Sequence, residues 1–422
     1  MIKKIIAGVW GLLLCISAVY GQHDTVRILQ YNLLNYGNSA NPATYKDPRL
    51  STIINFVHPD IFGANEIANS AAHAQNILNT VLGQGWEKGA YVNTGNEVQT
   101  NMLFWRTDKF GLKSQKSISY KLRDIIAFNL YYKDANLAQT KDTVFFTVIV
   151  AHLKAGNTSQ DKADRAAETQ TVVNYLNSLG KSGNYFFMGD FNLYTSDETA
   201  YGNLINNPNA DGKLYDPISR PGNWSGNSGF ADIHTQSTRT TSLPDGGASG
   251  GLDDRFDHIM VSNAVMQNEQ KCMYLQDSYK ALAQDGKHLN KAITSSPSNP
   301  DVPSNVVQAL YEMSDHLPVY ADFVITTPQF PSGIAGKGVH TLKDIKVTNP
   351  FNEKLIFATS GFDINELRVK ITLCTIDGRV LLNNIALTGN EVLLPSGWLP
   401  GIYVLQLKDA TGNIMVRKIV KE

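Results

Sequence analysis

Cysteine is nearly absent from this chain, with three among 422 residues. That excludes a disulfide framework. Cys15 lies in the first 21 residues, and Cys272 and Cys374 fall in what read as different domains. An exported chain of this length can build a real core without bridges. A surplus of charge is also missing, since 37 Lys and Arg face 38 Asp and Glu. The balance is uneven. Residues 22–326 carry 24 basic against 30 acidic side chains, and 327–422 carry 11 against 8. An acidic main part argues against a broad electrostatic grip on nucleic acid. It leaves room for a local basic site, or for a metal that offsets the carboxylates. Beyond residue 21 no apolar run is long enough to span a bilayer, so the mature chain reads as soluble.

Residues 1–21 have the pattern of a secretory signal peptide. Lys3 and Lys4 form its charged start and Ile5 to Val19 its apolar stretch. Val19 and Gly21 are small enough for cleavage before Gln22. A chain this long then suggests two domains. The stretch from Val26 to Ile325 alternates strands with a few helices. Strands are expected at 26–31, 60–65, 101–106, 125–132, 143–151, 185–190, 256–261 and 317–325. Helices are expected around 49–57, 69–82 with Ser70 as cap, and 159–179. The last carries Ala167, Val172, Val173, Leu176 and Leu179 on its apolar side. Residues 193–255 are rich in Gly, Asn, Ser and Asp and read mostly as loop. Too few long helices interrupt the strands for a doubly wound sheet. Two packed sheets flanked by helices, an α/β sandwich, fit better. Residues 327–340 read as a Pro/Gly-rich linker. From 341 to 422, turn signals at short spacing without helices indicate a small β-sandwich.

The run Tyr185-Phe186-Phe187-Met188-Gly189-Asp190-Phe191-Asn192 is the centre of the functional reading. An apolar strand ends there, and alternation puts Asp190 and Asn192 on one side at its exit. A carboxylate at the edge of a buried strand is costly unless paired or metal-bound. Asn32, Glu66, His152, Asp257, Asp315 and His316 also fall at the ends of expected strands. If the strands share a sheet edge, these side chains converge. A divalent cation on Glu66 would neutralise phosphate charge, a carboxylate or His would deprotonate water, and neutral donors would meet phosphoryl oxygens. Each residue alone has a plainer reading. His152 would be a satisfied polar end of a strand, Asn32 a cap, Asp315 a turn residue before Pro318, and Arg123 the partner of a surface acid. His258 is expected to face the opposite way, Arg165 to serve helix packing, and Asp253 and Asp254 to be loop acids near Asp257.

The ordered set Tyr31-Asn32, Asn65-Glu66, Ala151-His152-Leu153, Gly189-Asp190-Phe191-Asn192, Arg255-Phe256-Asp257-His258 and Ser314-Asp315-His316-Leu317-Pro318 resembles the endonuclease/exonuclease/phosphatase superfamily, the DNase I-like fold. The likeness covers nearly all of 25–326. It implies a four-layered α/β sandwich over 22–326 and a metal-dependent phosphodiesterase or phosphatase. It implies Glu66 as principal metal ligand, with Asn32 and Asp315 beside it. It implies Asp190 orienting water, Asn192 on the phosphate, His316 in proton transfer with Asp257 fixing its tautomer, His152 as a second phosphate-facing histidine, and Arg123 as a phosphate grip. The cation would be Mg²⁺, with Mn²⁺ or Ca²⁺ as alternatives. One departure stands out. In the DNase I branch an acid near Asn101 supports the first histidine, whereas this chain has Gln99, Thr100 and Asn101 there, with Glu97 out of register.

The tail has its own likeness. Asn349-Pro350-Phe351, Asp377-Gly378-Arg379, Leu394-Pro395-Ser396-Gly397, Gly401-Ile402-Tyr403 and Val416 to Val420 resemble the C-terminal sorting domain of the type IX secretion system. That implies a secreted or cell-surface protein, exported through periplasm and outer membrane, whose tail meets the secretion machinery. The expectation is a monomeric extracellular nuclease with nucleic acid as substrate. The alternatives are a sphingomyelinase-like or other phosphate-ester hydrolase, for which no apolar membrane hairpin is evident, and a binding module with a decayed site.

Overall fold

The computed structural model describes residues 22–95, 97–119, 122–135, 137–327, 341–359, 364–394 and 397–422. The expected signal peptide 1–21, nearly all of the expected linker and Pro395-Ser396 lie outside the described residues. The chain divides into two compact units, Met1–Phe330 and Pro331–Glu422.

The larger unit is built on two sheets. In the first, the strands run in the order Cys272–Tyr274, Val319–Thr327, Gln22–Tyr36, Ile61–Ala68, Gln99–Arg106 and Trp86–Lys88, and Lys280–Ala281 also pairs with Val319–Thr327. In the second the order is Phe110–Ser119, Ile125–Tyr132, Phe145–His152, Asn184–Asp190, Asp257–Ser262 and Leu214–Tyr215. Apolar residues of both inner faces, among them Ile28, Leu103, Val148, Phe186, Met188 and Phe323, form one core between the sheets. Helices Ala43–Val57 and Ser304–Met313 cover the outer face of the first sheet through Ile53, Val306 and Leu310. Helices Ser159–Ser178 and Thr199–Ile205 cover the second through Val172, Leu176 and Leu204. The architecture is therefore the four-layered α/β sandwich, helix on sheet on sheet on helix.

Each sheet contains one parallel pair. Gln22–Tyr36 lies parallel to Ile61–Ala68, and Phe145–His152 parallel to Asn184–Asp190. Parallel neighbours end at the same edge, so their C-terminal residues emerge side by side. The sheets are tied beneath that edge by Asn65. Its Oδ1 accepts from Gln30 Nε2 at 2.6 Å and from the Asp190 backbone N–H at 2.9 Å. Its Nδ2 donates to Asn101 Oδ1 at 2.7 Å and to the Ala151 carbonyl at 3.1 Å. Gly189 lets the neighbouring backbone come close, because a Cβ there would sit 1.7 Å from the Ala151 oxygen.

Several local expectations shift. The stretch expected as one helix from 69 to 82 is Ala71–Asn76 followed by a π-helical turn Ile77–Leu82, with the Ser70 hydroxyl accepting from Ala72 N–H. Strand Phe110–Ser119 and helices Ser304–Met313 and Thr199–Ile205 were not expected. Ala167 is exposed, and the polar Arg165, Glu168 and Thr169 are buried instead. The reason is an ion pair: Arg165 donates to Glu198 Oε2 and to the carbonyls of Lys154 and Gly156.

In the smaller unit, a three-stranded and a four-stranded sheet enclose Ile345, Phe357, Leu373, Leu405 and Ile419. Gly378 and Gly412 take positive φ in the turns between Lys370–Thr375 and Val380–Ala386 and between Gly401–Lys408 and Ile414–Lys421, as Asp-Gly and Thr-Gly-Asn turns require.

Replacing Asn65 by Leu leaves four buried polar groups of both sheets without that partner. The expected loss is about 2–4 kcal/mol of stability, read from the midpoint of urea unfolding. An unchanged midpoint would show that Asn65 does not tie the sheets.

Candidate active site

The residues singled out from sequence meet at one rim of the sandwich, and strand register explains how. His152 stands opposite Asp190 in the parallel pair, and Asp257 opposite Asp190 in the antiparallel pair. Asn32 stands opposite Asn65 in the other sheet. Glu66, next to Asn65, reaches the rim by a break in regularity. Pairing of its strand with both neighbours slips around it, and its φ is +54°. Leu34 and Asn35, across from it, have φ of +48° and +53°. Left-handed backbone at non-glycine residues costs on the order of 1–3 kcal/mol each and persists where surroundings enforce it. The strain turns the Glu66 carboxylate toward Asn32 and lets Asn35 N–H donate to Glu66 Oε2 at 3.2 Å.

Asp190 is the hub. Its Oδ2 accepts from Asn32 Nδ2 at 2.9 Å and lies 3.4 Å from His152 Nε2 and 3.6 Å from His316 Nε2. Asn32 Nδ2 also donates to Glu66 Oε1 at 3.1 Å. His316 Nδ1 bonds Asp257 Oδ2 at 2.7 Å. The segment carrying His316 is pinned, because Ser314 Oγ donates to the Asn32 carbonyl at 2.7 Å and accepts from His316 N–H.

Burial and charge push these groups apart in protonation. Burial raises Asp190 to about 7, with the charges of Asp257 and Glu66 adding to it and His316 opposing. Glu66 is raised by burial and then by the Asp315 charge. His152 is driven well below the ordinary histidine value by burial, with Arg123 and His316 adding to it. Burial alone would lower His316 too, but Asp257, Asp190 and Asp315 hold it well above that value. One site thus pairs an imidazole kept neutral with one kept charged, which is how acid and base roles divide.

Glu66, His152 and Asp190 bring one donor atom each within 4.8 Å of one another, which is the spacing of a cation site. The donor set fits a hard divalent ion, because carboxylates predominate and Glu66 is the most accessible of them. Asn32 is oriented differently from its expected ligand role. Its oxygen accepts from Leu34 N–H at 3.0 Å, and its nitrogen faces the acids. In this orientation it holds the carboxylates together and leaves ligation to them. Asp315 likewise spends Oδ2 on Gln236 Nε2 and the Ala248 N–H. Arg123 Nη1 donates to the carbonyls of His152 and Leu153, both at 3.2 Å, and its charge is felt at Glu66. Asn192 sits at φ +52° with Nδ2 on the Leu153 carbonyl and its N–H on Asp190 Oδ1.

The departure around Asn101 has a structural counterpart. Among the described residues His152 Nδ1 has no hydrogen-bond partner, and Glu66 Oε1 lies 3.8 Å away. Gln99 supports the other side, donating to Asn35 Oδ1 at 2.6 Å. His258 points away from the rim and stacks on Phe191 at 5.1 Å. Asp253 is pushed up to about 6, by burial and then by Asp254. Gln236 is the rim residue that sequence reasoning missed. It is one polar residue in a stretch rich in them, and no motif marks it.

No family model matches the chain, and no curated protein matches it. Solved structures do. An endonuclease/exonuclease/phosphatase family protein from Bacteroides thetaiotaomicron is 16% identical over 72% of this chain and 99% of that one, with a TM-score of 0.46. TDP2 from D. rerio, complexed with single-strand DNA product, is 12% identical over 71% and 98%, at 0.46. A mannosyl-6-phosphatase of Bacteroides thetaiotaomicron is 16% identical over 71% and 99%, at 0.44.

Asp190→Asn removes a carboxylate whose ionisation the fold disfavours. A raised folded pKa makes the charge a cost that grows as pH rises from about 4 through about 7. The variant is therefore expected to match the parent near pH 4 and to exceed it at pH 8 by roughly 1–3 kcal/mol without divalent ions. Melting curves at both pH values check this. A variant less stable at pH 8 than the parent would contradict it.

Proposed function

We propose that this chain hydrolyses phosphate esters with the help of a divalent cation. The observation that carries the reading is the meeting of Glu66, His152 and Asp190 with the Asp257–His316 pair at one rim. Glu66 and Asp190, with His152 beside them, would hold the cation. Bound there, it supplies positive charge against the phosphate. Asp190 takes a proton from the attacking water as the new O–P bond forms. His316, charged and held by Asp257, gives its proton to the departing ester oxygen as that P–O bond breaks. Asn192 and Arg123 stand near enough to Asp190 and His152 to steady non-bridging oxygens. A buried rim excludes bulk water and strengthens each of these interactions.

Within that reading the substrate is a phosphodiester of nucleic acid, and the protein an extracellular nuclease. The loops around the rim, 193–255, are polar, which favours a soluble polyanion over a lipid surface. Residues 1–21 and the sandwich after the linker support export by a signal peptide and a type IX sorting tail. The protein recovered from its host's medium would then begin at Gln22, which N-terminal sequencing reads directly.

Hydrolysis of plasmid DNA should require added Mg²⁺ or Mn²⁺ and cease with chelator. Glu66→Gln and His316→Ala should each lower kcat/KM by about 10²–10⁴-fold. Full activity in both variants would refute the site. RNA, sphingomyelin and inositol phosphates tested alongside identify the ester.

A further inference from the structure

Gln236 belongs to none of the motifs, yet it touches the part of the rim where chemistry is expected. The strip Thr235–Thr238 is stitched to both neighbouring segments. Thr235 N–H and Gln236 N–H donate to the Asp254 carbonyl, and Asp253 and Asp254 N–H donate back to the Gln236 carbonyl. On the other side Leu317 N–H donates to the Thr235 carbonyl and Thr238 N–H to the Asp315 carbonyl. Thr235 Oγ1 also accepts from Asp257 N–H at 3.2 Å. The backbone of Gln236 is thereby fixed against the two segments that carry Asp257 and His316.

Its side chain is half-buried and lies over His316. Gln236 Nε2 is 2.6 Å from His316 Nε2 and donates to Asp315 Oδ2 at 3.0 Å. His316 has one nitrogen committed to Asp257, so Nε2 is the atom through which it must act. Besides the Gln236 amide, Nε2 faces Asn32 Nδ2 at 3.5 Å and Asp190 Oδ2 at 3.6 Å. A phosphoryl or ester oxygen cannot reach Nε2 while the amide stands at hydrogen-bond distance from it. The amide must yield by about the width of an oxygen atom, and its bond to Asp315 keeps it beside the space it leaves. An amide NH₂ there points a hydrogen at whatever oxygen approaches His316.

We propose, resting on the phosphoester reading of the rim, in which His316 Nε2 carries the proton it gives away, that Gln236 is a further substrate-contacting residue: its amide NH₂ and His316 Nε2–H are two donors facing one gap, and a phosphoryl oxygen that enters it accepts from both. The class of ligand it recognises is a tetrahedral oxyanion. Orthovanadate and inorganic phosphate are its simplest members.

The test compares the full chain with Gln236→Ala, Gln236→Met, which keeps length and removes the donor, and Gln236→Glu, which sets a carboxylate beside Asp315. The first two should lower kcat/KM for the phosphodiester by about 10- to 100-fold and weaken inhibition by phosphate and vanadate by a similar factor. Gln236→Glu should be worse than either. In the first two variants, melting temperature and its rise on adding Mg²⁺ should stay as in the parent, because they leave the carboxylates untouched. Unchanged kcat/KM and unchanged phosphate inhibition in an active protein would overturn the assignment and leave the phosphoester reading standing. A loss of activity matched by a lower melting temperature, with phosphate inhibition intact, would also overturn it, because Gln236 would then be structural. A parent inactive on every ester would sink the phosphoester reading itself, and this inference with it.

Discussion

The fold's governing constraint is one carboxylate that water barely reaches. Asp190 ends the central strand of the second sheet, where only 2% of its surface is exposed. Leaving a charge so buried is expensive unless polar groups surround it. Asn32 comes from the first sheet, His152 from the parallel neighbour, and His316 from the chain's return after its last large-unit helix. Three segments distant in the chain each send one residue to the same atom. Asn65 then fixes the backbone of Asp190 to the first sheet from below, so side chain and main chain are held from different directions.

Such a hub demands irregular backbone around it. Ideal strands would place Glu66 and Asn32 on separate tracks of the sheet. Slipped pairing and left-handed residues at Leu34, Asn35 and Glu66 bring them together instead. That strain is carried by the cores above and below, where Phe186, Met188, Leu29 and Phe104 are fully buried. A rigid interior that resists deformation is what allows a few residues to remain in costly conformations.

Much of this was readable beforehand because it follows from short-range rules. An apolar run closing on Gly189-Asp190 reads as a buried strand with a polar exit, and the structure has the strand Asn184–Asp190 there. The same logic placed His152 and Asp257 at strand ends, whereas Asn32, also expected at an end, lies inside the strand Gln22–Tyr36, which continues past it. Two packed sheets flanked by helices followed from the count of strands and the scarcity of long helices, and the four-layered sandwich from the resemblance. The missing acid near Asn101 was also visible, and it matches a His152 whose Nδ1 lacks a partner among the described residues. Other features depend on contacts distant in sequence. Arg165 and Glu168 break the apolar face of their helix because Glu198 and the Lys154 backbone await them. Gln236 reaches His316 across 80 residues of chain, and nothing local distinguishes it from its neighbours. The orientation of the Asn32 amide likewise depends on Leu34 and could not be read from a strand pattern.

The two histidines show why the rim is more than a collection of polar ends. Both are buried to a similar degree, so desolvation alone would render both neutral. Only His316 has a carboxylate in direct contact at Nδ1, and Asp315 precedes it in the chain. His152 instead lies within the field of Arg123 and has no donor or acceptor at Nδ1 among the described residues. The same solvent exclusion that suppresses one imidazolium amplifies the attraction that sustains the other. A site with one charged and one neutral imidazole on opposite flanks of a single carboxylate has direction: a proton has somewhere to come from and somewhere to go. That asymmetry arises from second partners: Asp257, placed by register in the second sheet, and Arg123, held just before strand Ile125–Tyr132 on the His152 and Leu153 carbonyls, together turn a polar edge into a candidate for chemistry.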